Sequence, residues 1–430
     1  MRRRRPVRRA RRQRGRLLRR RRAGGAHDRG SGDVLSAPPR GVLAALCITV
    51  TISYGTLYYG FAVLAPTITA DTGWSLTAIT AAFSLGLLMT GLVGVVVGRS
   101  IQSRGPRGAM VVGAVVGAAG LALVASAPSY PWFVAAMLLC GAGAAGLFYA
   151  PAFAALTHWY GAGRVRALTT LTLVAGFAST VFAPLTTAIA EQTSWRTTYV
   201  VFAVLLLVVA VPVHWVALRH PWPAVAGGAD VTPDREVIRS PAFVLSAAGA
   251  TLTTLAMFAA LVALIPLLVG RGMTPTLAAW ALGLGGAGQV LGRLAFPRLT
   301  DVTDVRQRVL WGTIAMALTT LALALVPGPA FLLIGVSIVA GAARGLYTLV
   351  GATLVTDLWG PERYAAINGV LGAPVSVATA LGPFAGAGIA AVTGSYPETF
   401  AVLAGLAAVG SLLSVQAVRR APRPSVVAGR

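Results

Sequence analysis

Gly94-Val-Val-Val-Gly98-Arg99, with Arg104 five residues beyond, and Gly288-Gln-Val-Leu-Gly292-Arg293, with Arg298 at the same spacing, decide how this chain is read. Each stretch ends a long uncharged run and opens a short arginine-bearing loop before the next run. A second correspondence argues against coincidence. Gly146-Leu147, Gly161, Arg164 and Pro184 match Gly345-Leu346, Gly360, Arg363 and Pro383 at one constant offset. The chain therefore reads as two homologous halves.

Of the 430 residues, 56% are hydrophobic and only 11% charged, which excludes an ordinary soluble domain. The charges fall in short intervals between uncharged runs, each long enough for one or two membrane helices of about 20 residues. Ser126-Ala-Pro-Ser-Tyr-Pro131 and Pro327-Gly-Pro329 divide two of the longer runs. The expected fold is an all-α membrane protein, with twelve transmembrane helices in two pseudo-symmetric six-helix bundles.

The chain has no lysine, so orientation rests on arginine. With the N-terminus cytoplasmic, the outer loops hold only Arg196 and Arg271. The positive-inside bias then puts both termini in the cytoplasm and the protein in the plasma (inner) membrane. The net charge of +24 comes largely from the first forty residues and from topology, so no nucleic-acid partner is read from it. Cys47 and Cys140 fall inside predicted helices and read as small buried hydrophobes.

Residues 1–40 form an arginine-rich cytoplasmic tail that cannot bury a core. It reads as an anchor on anionic lipid or as a stretch upstream of a later start near Val34. Residues 41–218 form the first bundle, 219–240 a Pro- and Gly-rich cytoplasmic linker, 241–418 the second bundle, and 419–430 a cytoplasmic tail. The first helix is expected to close at Pro66, and Pro184 and Pro383 to break helices five and eleven.

These features together resemble the major facilitator superfamily of secondary transporters, over residues from about 41 to 418. The most specific element is the loop between helices two and three, which in that family pairs a glycine with an acidic residue and several basic ones. Here Gly98 and the arginines are kept, Gln102 replaces the acid, and the second copy has Asp301 nearby. The resemblance implies two bundles rocking about a central site. It also implies a cytoplasmic gate built on Arg99, Arg104, Arg293, Arg298, Asp301 and Arg363. The glycines that drug–proton antiporters of the family carry around the helix-five proline are missing at Phe182-Ala-Pro-Leu-Thr-Thr187.

An ionisable group at membrane depth is costly and is a functional candidate by default. Arg344 is central to its predicted span, where the first half has Ala145. Its guanidinium stays charged and needs an anion, carbonyls or water. Tyr347 lies three residues on, and Tyr54, Tyr58 and Tyr149 could line the opposite bundle. No metal cluster, cofactor site or nucleophile–base pair is evident, so an enzyme is not expected. The reading is a transporter of a small organic solute, an organic anion such as a carboxylate, acting as a monomer in the lipid bilayer. Drug or metabolite efflux and a transport-inactive sensor are the alternatives.

The orientation is checked by fusing a reporter active only in the cytoplasm. It should be active after Arg235 and silent after Gly73; the reverse pattern overturns the arginine argument.

Overall fold

A computed structural model describes residues 41–222, 235–360 and 364–421. The expectations for residues 1–40, for 223–234 of the linker, for Arg363 and for 422–430 lie outside the described residues. The helices are α1 (Val42–Thr72), α2 (Leu76–Arg104), α3 (Pro106–Ala125), α4 (Tyr130–Tyr160), α5 (Arg164–Gln192) and α6 (Trp195–Ala217). A short helix, Arg235–Arg239, leads into α7 (Pro241–Gly270), α8 (Pro275–Val302), α9 (Val305–Leu325), α10 (Ala330–Trp359), α11 (Tyr364–Thr393) and α12 (Tyr396–Arg420). No strand occurs among the described residues. The chain is a multi-pass membrane protein, with twelve long helices among the described residues. Eleven are long and apolar enough to cross a membrane. The twelfth, α8, has its apolar run diluted by glycines, Gln289 and Arg293.

Where helices begin is set locally. The side chains of Ser75, Ser194, Ser240, Thr274 and Ser395 each accept a hydrogen bond from the backbone N–H three residues on, fixing the starts of α2, α6, α7, α8 and α12. Asp304 and Gln307 form a reciprocal capping box on α9.

Three expectations about helix ends are corrected. The arginine-bearing loops are helical: Arg99 and Arg104 lie in α2, and Arg293, Arg298 and Asp301 in α8. Nothing between Arg99 and Arg104 breaks a helix, and α2 stops only at Gly105, whose φ of 80° precedes Pro106. Pro66 lies inside α1, which runs on to Thr72. Pro184 and Pro383 likewise sit in unbroken helix. In hydrocarbon a proline frees one carbonyl, whereas leaving the helix would free many more groups. The breaks fall elsewhere, at Gly146–Phe148 in α4 and Gly176–Phe177 in α5.

The register of the repeat is also corrected. Helices α1 and α7 begin at Val42 and Pro241, α2 and α8 at Leu76 and Pro275, and α3 and α9 at Pro106 and Val305, each pair 199 residues apart. Gly146 and Gly345 share that displacement, but Gly94 and Gly288 are 194 apart. The two arginine motifs therefore stand five residues out of structural register. Arg298 is the counterpart of Arg99, and Arg293 stands where the first half has Gly94. The glycines differ accordingly. A Cβ on Gly288 or Gly292 would overlap the Ile338 or Ala342 carbonyl of α10, whereas one on Gly91, Gly94 or Gly98 would meet open space.

The halves meet along α2 with α11 and α5 with α8. Thr77 Oγ1 donates to the Ala387 carbonyl (3.3 Å), Phe384 N to Ser84 Oγ (3.2 Å), Thr180 Oγ1 to the Gly283 carbonyl (2.7 Å), and Thr276 Oγ1 to Glu191 Oε1 (2.6 Å). These rungs hold the halves together toward the end that carries Trp74 and Trp195, away from the arginine-rich end.

The register makes a prediction. Gly288→Val should cost about 3 kcal/mol by overpacking, read as a lower melting temperature of the detergent-purified protein. Gly94→Val should be close to neutral. Equal effects would restore the motif alignment.

Candidate central binding cavity

A cavity of about 210 Å³ lies between the halves. Tyr54, Tyr58 and Tyr59 of α1 and Tyr149 of α4 form one side, with Phe258 of α7, Gln289 and Arg293 of α8, and Arg344 and Thr348 of α10 on the other.

Local backbone places the aromatic side. Gly55–Tyr59 is a π turn, with Gly60 N–H donating to the Gly55 carbonyl. Such wider turns recur at functional sites, and this one lets Tyr54, Tyr58 and Tyr59 share one wall where regular spacing gives only the first two. The α4 break does the same for its residues. Pro151 has no N–H for the Leu147 carbonyl four residues back, and its ring would clash with that carbonyl in a continuous helix, so Phe148 is extended and Tyr149 starts a new helical piece. Tyr54 then stacks on Phe148, centroids 4.1 Å apart, and meets Tyr149 at 4.8 Å. Tyr58 is buried against Phe83 and Phe258, and its hydroxyl has no partner among the described residues.

Close packing of α8 on α10 places the polar side. A Cβ on Gly341 would overlap the Gly285 carbonyl, and one on Gly345 the Gln289 carbonyl. The two helices touch backbone to backbone, which brings Gln289 beside Arg344. Arg344 Nε donates to Gln289 Oε1 at 3.2 Å. No carboxylate among the described residues pairs with Arg344, which lines the cavity and whose Nη1 and Nη2 make no hydrogen bond among the described residues. Arg293, one helical turn beyond Gln289 and so on its face, donates from Nη1 to the Thr172 carbonyl of α5 at 2.6 Å. It is a cavity residue that also bridges the halves.

The other residues singled out in the sequence are dispersed. Tyr347 does not line the cavity. It is buried against α7, its hydroxyl donating to the Ala250 carbonyl (3.1 Å) and paired with Thr254 Oγ1 (3.2 Å). Arg99, Arg104, Arg298 and Asp301 are exposed at the ends of α2 and α8, and no ion pair among the described residues involves them. A charge pair at that end joins Arg308 of α9 to Asp357 of α10 at 3.4 Å.

The sequence profile of the Major Facilitator Superfamily matches residues 46–339 and 271–429. The chain belongs to the Major Facilitator Superfamily. It is a secondary transporter, and its twelve helices are the superfamily's arrangement. The bovine (Bos taurus) protein named monocarboxylate transporter 13 is 29% identical over 342 residues, 73% of this chain and 74% of that protein. Among solved structures, the bacterial homologue of the human lysosomal transporter Spinster, in an inward-facing and occupied conformation, superposes with a TM-score of 0.67. It is 18% identical, over 89% of this chain and 98% of that one. A mutant of the nucleoside transporter NupG gives 0.71 at 13% identity, over 87% of this chain and 99% of that one. At such identities these structures share the fold alone.

Tyr59, Gln289, Phe258 and the cavity placement of Arg293 in this transporter were missed from sequence. Gln289 left a signal, being an amide inside an otherwise apolar run, one turn before an arginine. Tyr59 left none, because the π turn that turns it inward has no motif of its own.

Tyr347 separates packing from binding. Tyr347→Phe should lower stability by about 1 kcal/mol through the lost hydrogen bond and leave ligand affinity unchanged. A loss of affinity at unchanged stability would put Tyr347 in the site.

Proposed function

We propose that this transporter carries a small organic anion, of the carboxylate class, by alternating access about the Arg344 cavity. The observation that carries the proposal is the Arg344 guanidinium, which lines the cavity with no carboxylate partner, Gln289 as its one hydrogen-bond acceptor, and Nη1 and Nη2 without a hydrogen bond among the described residues. Two parallel N–H donors match a carboxylate in a way that a single ammonium does not. The tyrosine and Phe258 walls suit a flat or apolar body behind that carboxylate, and the unpartnered Tyr58 hydroxyl offers it one polar contact. The volume of about 210 Å³ fits a small molecule rather than a peptide or lipid. The name of the bovine relative agrees with an acid as cargo.

In this proposal the arginine-rich end faces the cytoplasm of the plasma membrane, as the loop arginines favour. The transporter works as a monomer, since one chain supplies both walls. Rocking opens the rungs from Thr276–Glu191 to Arg293–Thr172 and closes the opposite end, where Arg99, Arg104, Arg298 and Asp301 supply the charges. Efflux of an uncharged drug or metabolite would use the same aromatic walls, but it gives Arg344 no partner and so accounts for less of the cavity.

The test is binding of pyruvate and phenylpyruvate to detergent-purified protein, read by thermal stabilisation. Arg344→Ala should weaken binding about a hundredfold, the loss of charge-assisted hydrogen bonds worth roughly 3 kcal/mol, while the protein stays monodisperse. Arg344→Lys should recover little. Unchanged affinity in Arg344→Ala, or no binding of either acid to the native chain, overturns the proposal.

A further inference from the structure

The charge of Arg344 has consequences for the empty transporter. Its guanidinium does not lose its proton at any accessible pH. None of the twelve acidic residues falls in the middle of an uncharged run. Those described in the long helices or at their caps stand at helix ends, Asp71, Glu191 and Glu398 at one side and Asp301, Asp304 and Asp357 at the other. Arg344 stands fourteen residues from the start of α10 and fifteen from its end, about 20 Å along the helix in either direction. Rigid-body rocking of the bundles slides end groups past one another but does not carry a carboxylate into the middle. Gln289 offers a neutral oxygen, and Arg293 adds a second positive charge held on the Thr172 carbonyl. Among the described residues no carboxylate lies at the depth of the cavity to neutralise it.

To change sides, the transporter passes through a state in which both ends are shut and water is excluded. With an anion on Arg344, that state holds an ion pair with additional hydrogen bonds. Without one it holds a bare guanidinium in a low-dielectric interior, which is strongly disfavoured. The penalty falls on the return of the empty protein and not on the loaded step. Resting on the anion reading of the cavity, we propose that this transporter is an anion exchanger. It crosses in either direction only when Arg344 holds an anion, so each inward passage of one anion is matched by the outward passage of another. For two monoanions the cycle moves no net charge and requires no proton-carrying carboxylate, which agrees with the absence of any acid from the middle of a span.

The experiment uses the full chain in proteoliposomes and radiolabelled phenylpyruvate as probe. One set of vesicles is loaded with unlabelled phenylpyruvate. The other holds only the potassium salt of polystyrene sulfonate, whose anion is too large for the cavity. Valinomycin shunts the membrane potential in both sets, so that charge build-up cannot imitate coupling, and protein-free vesicles give the leak. Initial uptake into the loaded vesicles should exceed uptake into the others about a hundredfold, the size set by an uncompensated charge at mid-membrane. Equal uptake into both sets, with phenylpyruvate binding intact, overturns the exchanger while leaving the binding site standing. Binding without uptake into either set also overturns it. Absence of binding overturns the cavity assignment itself, and exchange with it.

Discussion

Helix α8 lies against α10 because glycines on each, along the line where they touch, let it reach the other's backbone carbonyls. Gly285, Gly288 and Gly292 face Ser337, Ile338 and Ala342, and Gly341 and Gly345 return the contact to Gly285 and Gln289. In hydrocarbon, where burial against lipid gives little drive for association, such backbone contact is a principal source of helix cohesion. The function hangs on it. At ordinary helix separation Gln289 would not reach Arg344; Arg293 reaches Thr172 where Gly283 and Gly286 bring α8 close to α5. The first half uses the same device, with Gly141 on the Gly86 carbonyl and Gly86 on the Met137 carbonyl between α2 and α4, and Gly113, Gly143 and Gly146 between α3 and α4. It places Ala145, however, where the second half has Arg344.

The two walls of the cavity are thus of different kinds. The first half supplies phenol rings, held by a π turn and a broken helix; the second supplies two guanidiniums, one amide and the Phe258 ring, on unbroken helices. A solute gripped by its charged end from one side and by its body from the other contacts both halves at once. That is the geometry in which occupancy can influence how the halves move, because differential contact is what shifts a conformational equilibrium.

Much of the fold was legible in the sequence, since charge exclusion from spans and arginine bias follow from the bilayer alone. Arg344 was legible for the same reason: one guanidinium in an apolar run is conspicuous. The register of the repeat was misread because Gly-x-x-x-Gly-Arg recurs wherever a small-residue stripe meets a membrane face. A matching pattern does not reveal which glycine touches a neighbour. Tyr347 misled because three residues along a helix still turn a side chain well away from Arg344, far enough for Ala250 and Thr254 to take its hydroxyl. Pro66, Pro184 and Pro383 misled because water-based expectations for proline do not hold where leaving the helix exposes backbone to lipid.

The break in α4 has a mechanical consequence. Its counterpart α10 has no proline near Leu346–Val350 and runs unbroken from Ala330 to Trp359, whereas α4 is jointed at Gly146–Phe148, beside the cavity. The first half therefore contains an elbow and the second a rod. Bending at that elbow swings Tyr149 and Phe153 without disturbing the outer piece of α4, which stays fixed to α2 and α3. The rod has no such freedom, and Arg344 moves only when the whole second bundle moves. One half of the transporter can adjust to the shape of its cargo, and the other can only carry it.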